Sequence, residues 1–285
     1  MIPAAFDYVR PASVDEAVGA LTEHGDEAKV LAGGQSLIPL LRLRLAYPSV
    51  LVDVGRLAEL RGVRDDGDAL VVGAATPHHE VMTDPLVREH LPLVAEATAT
   101  VADPAVRHRG TFGGALAHAD PAGDLPAVAL ALGAVMEVAG PAGRRQVPAA
   151  HFFQDYLQTD LGPDELLVSV RLPKPGPGWG HRYEKFQRVA QAWAVVGVAA
   201  LVRRDDGRVA EARIALTNMG TTPVRAAAVE AAAAGAEATV AALTAAAEHA
   251  PEGTDPPADL NAQPDYRQHL SRVLTRRALV AAAGA

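Results

Sequence analysis

The sequence predicts an α+β protein built from two domains. Strand-like and helix-like segments follow one another in mixed order, which is typical of α+β folds. From about residue 226 the composition turns to alanine, and helical segments dominate to the end of the chain. The stretch PKPGPGWG (173–180) is rich in proline and glycine, so we place the domain boundary there.

Composition excludes several classes of protein. The chain has 285 residues, of which 49% are hydrophobic and 21% charged, as expected for a globular protein. It contains no cysteine, which excludes disulfides, thiolate metal sites, cysteine nucleophiles and an iron–sulfur cluster held by this chain alone. The net charge of −8 argues against general nucleic-acid binding. The N-terminus lacks a signal-peptide pattern, and the apolar run at 191–202 is too short to span a membrane, so we expect a soluble, cytoplasmic protein.

The first predicted elements surround a double glycine. Ser13 followed by Glu16 forms a capping-box pattern, which predicts a helix over 13–24. The segment KVLAGGQSLIPLLRLR then reads as a short strand, a glycine turn and the start of another helix. Strands are predicted at 50–54 and 69–73, and the RDDGD sequence between them predicts a hairpin turn.

A second glycine-rich element, RHRGTFGGALAHADPAGD, follows a predicted helix over 85–102 that starts at Asp84 and Pro85. Asp124 is expected to cap the next helix. The remaining predicted elements are a helix at 124–132, strands at 135–138 and 166–172, strand-like runs YEKFQRV, AVVGVAALVR and RVAEARIALTNM, and a polar loop at 251–265.

The two glycine-rich elements contain AGGQS (32–36) and TFGGA (111–115). Paired glycines reach positive φ and let a ligand approach the backbone without a Cβ in the way. Successive amide groups in such turns bind anions, and the hydroxyls of Ser36 and Thr111 are further donors to a phosphate. Each loop alone is more typical of a structural turn, and neither matches the Rossmann or P-loop pattern. Together they predict a clamp around a pyrophosphate.

Both segments, and nearly the whole chain around them, resemble one family. KVLAGGQSLIPLLRLRL and RGTFGGALAHADPAGDLPAVALALGA are similar to the two flavin-binding segments of the FAD-binding medium subunit of molybdenum hydroxylases. The resemblance extends to the opening FDYVRPASVDEAV, to LLVSVRLP and to the closing YRQHLSRVLTRRAL. The combination of these motifs, more than either loop, carries the resemblance.

The resemblance implies an FAD-binding domain over 1–175, of the type found in the vanillyl-alcohol oxidase group, with lobes at about 1–55 and 56–175. A smaller C-terminal domain over 176–285 would combine an antiparallel sheet with helices. The implied FAD contacts are Lys29, Ala32, Gly33, Gly34, Gln35, Ser36, Leu37, Thr111, Gly113, Gly114, Ala115, Ala117, Asp124, Leu167, Lys185 and Trp193.

The resemblance also implies a role in FAD binding for several of these residues. The two loops would contact the pyrophosphate and ribityl groups, and Lys29 the adenine side or a phosphate. Asp124 would contact ribityl or adenosine hydroxyls, Leu167 would add an apolar contact, and Lys185 would place a cation near the flavin ring. Lysine is rare in this chain, which strengthens the interpretation of Lys185.

Three positions depart from the family pattern. Ala115 stands where asparagine is common, so a side-chain contact is lost there. Gln35 stands where the carbon monoxide enzymes often have histidine, which weakens assignment to that branch. Trp193 replaces a tyrosine or another aromatic residue, and we interpret it as a shield beside the isoalloxazine ring.

Other polar residues are given structural interpretations. His78 and His79 are adjacent, and adjacent histidines rarely bind one ion, so no metal site is predicted. His118 is interpreted as a loop-stabilising residue. Arg107 and Arg109 either hold the second loop through carbonyl groups or face a partner. No nucleophilic serine motif or carboxylate pair stands out, so no catalytic residue is predicted.

The resemblance implies an FAD-carrying electron-transfer subunit. A large molybdopterin-binding subunit would oxidise the substrate, a small subunit would carry two [2Fe–2S] clusters, and the assembly would be a dimer of heterotrimers. The acceptor would be a quinone, NAD or another molecule, and the complex would be cytoplasmic or lie at the inner face of the membrane. Two alternatives remain open at this point: a stand-alone flavin oxidoreductase with its own substrate site, and a flavin-free assembly subunit.

Overall fold

A computed structural model describes residues 2–285 and confirms the α+β class. The described chain forms sheets of three, five and four strands and one two-stranded hairpin. None of the helices between residues 2 and 285 is long and apolar enough to cross a membrane.

The three-stranded sheet comes first in the chain, and all its strands are parallel. Its Ser13 cap forms as predicted, since Ser13 Oγ accepts the Glu16 N–H at 3.1 Å. The Glu16 carboxylate accepts from the Ala12 N–H instead of that of Ser13. The elements are β1 (Asp7–Val9), α1 (Val14–His24), a 3₁₀ turn (Gly25–Glu27), β2 (Ala28–Leu31), α2 (Leu37–Leu43) and β3 (Val50–Asp53), with strand order β1-β3-β2.

The five-stranded sheet is antiparallel and carries most of the helices of the N-terminal part. The elements are a 3₁₀ turn (Ala58–Leu60), β4 (Val63–Asp65), β5 (Ala69–Gly73), α3 (His78–Thr83), α4 (Pro85–His90), α5 (Pro92–Ala99), α6 (Pro104–Arg107), α7 (Phe112–His118), α8 (Asp124–Leu132), β6 (Val135–Gly140), β7 (Gly143–Pro148), α9 (Ala149–Phe152), β8 (Phe153–Asp155), β9 (Gln158–Thr159) and β10 (Leu166–Pro173). Across this sheet, the strands lie in the order β4-β5-β10-β6-β7, numbered by their position along the chain.

Two predictions in this region were wrong. The single helix over 85–102 is two helices, α4 and α5, because Leu91 precedes Pro92 and leaves the helical region at φ −133° and ψ 53°. The RDDGD turn joins β4 to β5, whereas the strand at 50–54 belongs to the other sheet. β4 is only three residues long, too short to be recognised by its hydrophobic pattern.

The four-stranded sheet is antiparallel, and the long helix α12 (Pro264–Ala283) packs on its first two strands. The polar loop at 251–265 has no regular structure until α12 begins at Pro264, as predicted. The elements are β11 (Trp179–Phe186), β12 (Val196–Asp205), β13 (Arg208–Thr217), β14 (Val224–Arg225), α10 (Ala227–Ala233), α11 (Val240–Ala247) and α12 (Pro264–Ala283), with strand order β11-β12-β13-β14.

Helix α8 joins the two larger sheets. Every residue of α8 is buried, and it packs against α5 on one side and against β12 and β13 on the other. Just before it, the Pro121 and Ala122 carbonyls accept hydrogen bonds from the amides of Asn218 (2.8 Å) and Ala194 (3.4 Å). The apolar core is therefore continuous from the five-stranded to the four-stranded sheet, which fixes the start of α8 between them.

The close packing of α12 on β11 gives a first prediction. A Cβ at Gly180 would overlap the carbonyl oxygen of Ala282, so Gly180→Ala has to push the helix away from the strand. We expect the free energy of unfolding to fall by roughly 1–3 kcal/mol, the usual cost of overpacking. Denaturant unfolding followed by circular dichroism measures it.

Gly19→Ala is the matched control. Gly19 lies in the middle of α1 with nothing within 4 Å of a Cβ, so the same substitution should stabilise the protein by up to about 1 kcal/mol. Equal effects of the two substitutions would contradict the packing argument.

Candidate functional site

One large cavity contains every residue of the expected cofactor site. Its volume is about 620 Å³, within the range of small-molecule sites. It lies between the two glycine loops, the start of α8 and the end of β11. The wall includes all the expected residues: Lys29, Ala32, Gly33, Gly34, Gln35, Ser36, Leu37, Thr111, Gly113, Gly114, Ala115, Ala117, Asp124, Leu167, Lys185 and Trp193.

The first loop, Ala32–Ser36, runs from β2 into α2. Gly34 has φ +74°, a conformation that L side chains rarely adopt. Within residues 2–285, the amides of Gly33, Gly34, Gln35 and Ser36 donate to no protein acceptor. These residues line the cavity, and their amides have no acceptor within the described chain.

The second loop differs from the first, because its amides are hydrogen-bonded within the protein. The amides of Phe112 and Gly113 donate to Thr76 and Ala74 carbonyls at 2.9 Å, and the Gly114 amide donates to Thr111 Oγ1 at 3.1 Å. Thr111 therefore acts as the N-cap of α7. Because Oγ1 is an acceptor in this bond, its own proton remains available to a ligand in the cavity.

The glycines also allow close backbone contacts within the protein, which the sequence did not reveal. A Cβ on Gly33 would overlap the Arg109 carbonyl oxygen, and one on Gly113 would overlap Ala74. The two loops thus touch each other backbone to backbone at Gly33. Absence of a side chain is required at these positions whether or not a ligand is bound.

A buried ion pair closes the other end of the cavity. Lys185 Nζ lies 2.8 Å from Asp124 Oδ2 and donates to the Thr100 carbonyl at 3.1 Å. The side chains are only 5% and 4% exposed. Asp124 is the first residue of α8, and the N-cap is Gly123, so the predicted capping role of Asp124 was wrong. Its carboxylate faces β11 instead of the helix amides.

Tyr183 completes this group and was missed by sequence reasoning. Its hydroxyl donates to Asp124 Oδ1 at 2.7 Å. Burial and the neighbouring carboxyl raise the pKa of Tyr183 well above its ordinary value, so the phenol keeps its proton and remains a donor. Burial also raises the pKa of Asp124, against the opposing effects of Lys185 and Tyr183. The available signal was the spacing in YEK, which places both side chains on one face of a strand.

Two of the cavity residues, His118 and Asp120, lie outside the expected set, whereas Trp193 and Lys29 belong to it. His118 and Asp120 both line the wall, with His118 Nε2 at 3.9 Å from Asp120 Oδ2. Trp193 lies in the loop between β11 and β12 and is 53% exposed, so one side of it faces solvent. Lys29 is also exposed on β2, at the opposite end of the wall.

The arginines before the second loop have separate roles. Arg107 donates to the Val101 carbonyl at 2.8 Å and to the Ala102 carbonyl at 3.3 Å, so it holds the chain through carbonyl groups. The Arg109 side chain is exposed and has no hydrogen-bond or ion-pair partner among residues 2–285. Arg107 therefore holds the chain through carbonyl groups, whereas the exposed Arg109 side chain is free to face a partner.

His78 is buried at the edge of the cavity, where its Nδ1 has no hydrogen-bond partner in the described chain. Its neighbour His79 stacks on His108 at 3.9 Å between ring centres. Among residues 2–285, no group of three or more potential ligands is arranged to hold a metal ion.

Burial of His78 gives a prediction about pH. It lowers the pKa of the imidazole to about 4, whereas the unfolded chain has the ordinary value near 6.5. The unfolded state binds more protons between these values, so the free energy of unfolding falls by up to about 3 kcal/mol as pH drops from 6.5 to 4. His78→Gln should remove this part of the pH dependence, measured by urea unfolding at several pH values.

The control is His269→Gln, at an exposed position on α12, which should leave the pH profile unchanged. An unaltered profile for His78→Gln would show that another group produces the acid sensitivity.

Comparison with known proteins agrees with this geometry. Residues 4–175 match the model of the FAD binding domain in molybdopterin dehydrogenase, and residues 181–282 match the CO dehydrogenase flavoprotein C-terminal domain. The chain is 42% identical to the carbon monoxide dehydrogenase medium chain of Hydrogenophaga pseudoflava, covering 99% of this chain and 98% of that one. It is 36% identical to the 6-hydroxypseudooxynicotine dehydrogenase complex subunit alpha of Paenarthrobacter nicotinovorans, covering 99% and 96%.

Solved structures give the same result. The carbon monoxide dehydrogenase of H. pseudoflava that lacks the Mo-pyranopterin moiety superposes with a TM-score of 0.97 at 44% identity, covering 100% of this chain and 99% of that one. Quinoline 2-oxidoreductase from Pseudomonas putida 86 gives 0.95 at 37% identity with the same coverage. The chain therefore belongs to the family of FAD-binding medium subunits of molybdenum hydroxylases, and it is an oxidoreductase subunit with FAD as its cofactor.

Proposed function

We propose that this chain holds FAD in the 620 Å³ cavity and transfers electrons through it. The electrons come from [2Fe–2S] clusters of a small partner subunit and leave to an external acceptor. The observation that carries the proposal is the cavity itself, because residues from widely separated parts of the sequence, from Lys29 to Trp193, meet on its wall.

The residues present fit FAD. The free amides of the first loop and the Thr111 hydroxyl suit the pyrophosphate, since they are donors without acceptors of their own among residues 2–285. Lys29 lies at the same end and is suited to the adenine side or a phosphate. Lys185, Asp124 and Trp193 surround the space for the flavin ring and its ribityl chain, and Leu167 adds an apolar wall.

Bound FAD supplies the redox chemistry, because it takes up and releases two electrons. The chain binds and orients it. Asp124 and Thr100 hold Lys185 Nζ in place, so a positive charge stays fixed at the cavity wall. Trp193 excludes water from the part of the wall that it covers. No group of this chain has to exchange a proton with the primary substrate.

The remaining features of the assembly follow from the same proposal. We divide the chain into an FAD-binding domain (1–175, lobes about 1–55 and 56–175) and a C-terminal domain (176–285). The chain has no cysteine, so the clusters belong to the small subunit. A large molybdopterin-binding subunit oxidises the substrate in a cytoplasmic dimer of heterotrimers, free or at the inner membrane face. A quinone, NAD or another molecule accepts the electrons.

The relatives differ in what their names say they act on, including carbon monoxide, caffeine and nicotine. We assign the choice of substrate to the large subunit. Gln35 does not distinguish among these substrates.

A direct test compares the chain alone with the assembled complex. The purified chain should show an oxidised-flavin absorption spectrum and release near-stoichiometric FAD. The chain alone should oxidise only a reduced dye, and substrate-dependent reduction of FAD should require both partner subunits. Turnover of a small substrate by the chain alone would favour the stand-alone oxidoreductase. Failure to take up FAD, even with both partners, would favour the flavin-free assembly subunit.

Tyr183 provides a test of the site. In Tyr183→Phe, Asp124 Oδ1 loses its donor, so we expect FAD to bind about 3- to 10-fold more weakly, the effect of one hydrogen bond. The pKa of Asp124 should also rise, because its charged form loses a stabilising contact. FAD affinity should therefore begin to change at a higher pH than in the parent protein, as measured by fluorescence titration.

Tyr8→Phe is the matched control, because Tyr8 also donates its hydroxyl to a carboxylate, that of Asp53, outside the cavity. Its FAD affinity should equal that of the parent protein. Equal affinities for both variants at every pH would exclude the role assigned to Tyr183.

A further inference from the structure

The loop that carries Trp193 joins β11 to β12 and forms part of the wall of the FAD cavity. It covers residues 187–195, and Gln191, Ala192 and Trp193 line the cavity. We call this segment the tryptophan loop. Its internal hydrogen bonds are local, such as the 3.0 Å bond from the Ala192 amide to the Val189 carbonyl. Local bonds of this kind shape a loop but do not determine where it lies on the cavity.

Two buried side chains hold the end of the tryptophan loop. Arg267, on α12, donates from Nη1 to the Val195 carbonyl. Asn218 donates from Nδ2 to the Ala194 carbonyl at 2.7 Å. Arg267 is 0% exposed and Asn218 is 6% exposed, so water does not compete for these bonds. The two carbonyls directly follow Trp193 in the sequence, so both donors hold the backbone within two residues of the indole.

The polar loop before α12 connects Arg267 to the start of the tryptophan loop. Arg267 Nε donates to the Pro257 carbonyl at 2.9 Å, and Nη2 lies 2.8 Å from Asp259 Oδ1. One residue further along the polar loop, the Leu260 carbonyl accepts a hydrogen bond from Arg188 at 3.2 Å. The polar loop is therefore tied to both ends of the tryptophan loop, and its carboxylate balances the buried positive charge.

Arg267 lies on the buried face of α12, where the helical period favours an apolar residue. Leu270 and Leu274 follow at positions i+3 and i+7, and both are buried. A leucine would serve that packing, whereas a buried guanidinium loses its hydration and gains little net stability from its bonds. Arginine adds geometry, because its planar fork carries several donors at fixed angles. Here those donors reach two loops that are far apart in the sequence.

We propose that Arg267 is a positioning residue for the flavin site. Through the Val195 carbonyl and the polar loop, it holds the tryptophan loop on the cavity wall. Trp193 is thereby kept beside the space for the flavin ring and limits the access of water to it. The inference rests on the function proposed above and adds which residue sets the position of this shield. Arg267 lines no part of the cavity, so it acts only through the tryptophan loop.

The exposure of Trp193 can be measured by hydroxyl-radical footprinting of the full-length chain with and without FAD. Mass spectrometry of the digest gives the oxidation rate of Trp193 and, as an internal reference, that of Trp179, which does not line the cavity. An indole ring that packs against the flavin has one of its two faces covered, so FAD should slow oxidation of Trp193 about twofold in the parent chain. The oxidation rate of Trp179 should stay the same.

Arg267→Met keeps much of the buried volume and removes every donor. In this variant we expect FAD to leave the oxidation rate of Trp193 nearly unchanged, because the Val195 carbonyl has lost its donor and the tryptophan loop is no longer held on the cavity. An Arg267→Met chain in which FAD protects Trp193 as well as in the parent would overturn the proposal.

Leu274→Ala is the matched control. It creates a cavity on the same buried face of α12 and removes no hydrogen bond to either loop. FAD should therefore protect Trp193 in this variant as it does in the parent chain. Equal loss of protection in Leu274→Ala and Arg267→Met would show a general loosening of α12 and would refute a specific role of Arg267.

Asp259→Asn provides the test if Arg267→Met does not fold. The substitution keeps an oxygen for the amides of Asn261 and Ala262, which Asp259 Oδ1 accepts at 2.8 and 2.9 Å, and removes only the charge that faces Arg267. The Asp259 side chain is 40% exposed, so we expect the variant to fold. FAD should protect Trp193 less than in the parent chain. Protection at the parent level would then count against the proposal.

FAD content, read from the flavin spectrum, separates this proposal from the proposed function. A parent chain that binds no FAD, alone or with its partners, would refute the proposed function itself. A parent chain that binds FAD but whose Trp193 oxidises equally fast with and without it would refute only the shield and the role of Arg267.

Discussion

The buried pair of Asp124 and Lys185 is the constraint on which the cofactor site depends. It joins the first residue of α8, from the N-terminal part of the chain, to β11 of the C-terminal sheet. Each side chain is almost fully buried, so removal of either would leave an unpaired charge, at a typical cost of about 3–5 kcal/mol. The pair therefore requires both sheets to be in place. Tyr183 adds a neutral donor from the same strand, which satisfies the second oxygen of the carboxylate.

Sequence reasoning succeeded where the signal was local. The Ser13 cap, the double-glycine loops and the helix at 124–132 each depend on a few adjacent residues, and the structure contains them at those positions. Pro92 was also a local signal, and its effect on Leu91 was overlooked. For Tyr183 the local YEK spacing shows only that it shares a strand face with Lys185. Its role depends on the approach of β11 to α8, which is a tertiary contact between residues 59 apart in sequence.

The glycine loops show that one sequence pattern can meet two requirements. Glycine was expected at these positions to admit a ligand, and the loops do line the cavity. The structure adds that Gly33 lies against the Arg109 carbonyl and Gly113 against Ala74. The fold therefore requires glycine at Gly33 and Gly113, independently of any ligand. A double-glycine pattern in a sequence cannot separate these requirements, because both demand the same missing Cβ.

The loop at Ala32 and Gly33 lies between two spaces. Its amides without a protein acceptor line the large cavity, and Ala32 and Gly33 also line a second pocket of about 240 Å³. Because Arg109 packs on Gly33 through its backbone, its side chain is left free to point outward. Any side chain at Gly33 would separate the two loops, because its Cβ would overlap the Arg109 carbonyl oxygen. The close contact of the two loops therefore depends on glycine at this position.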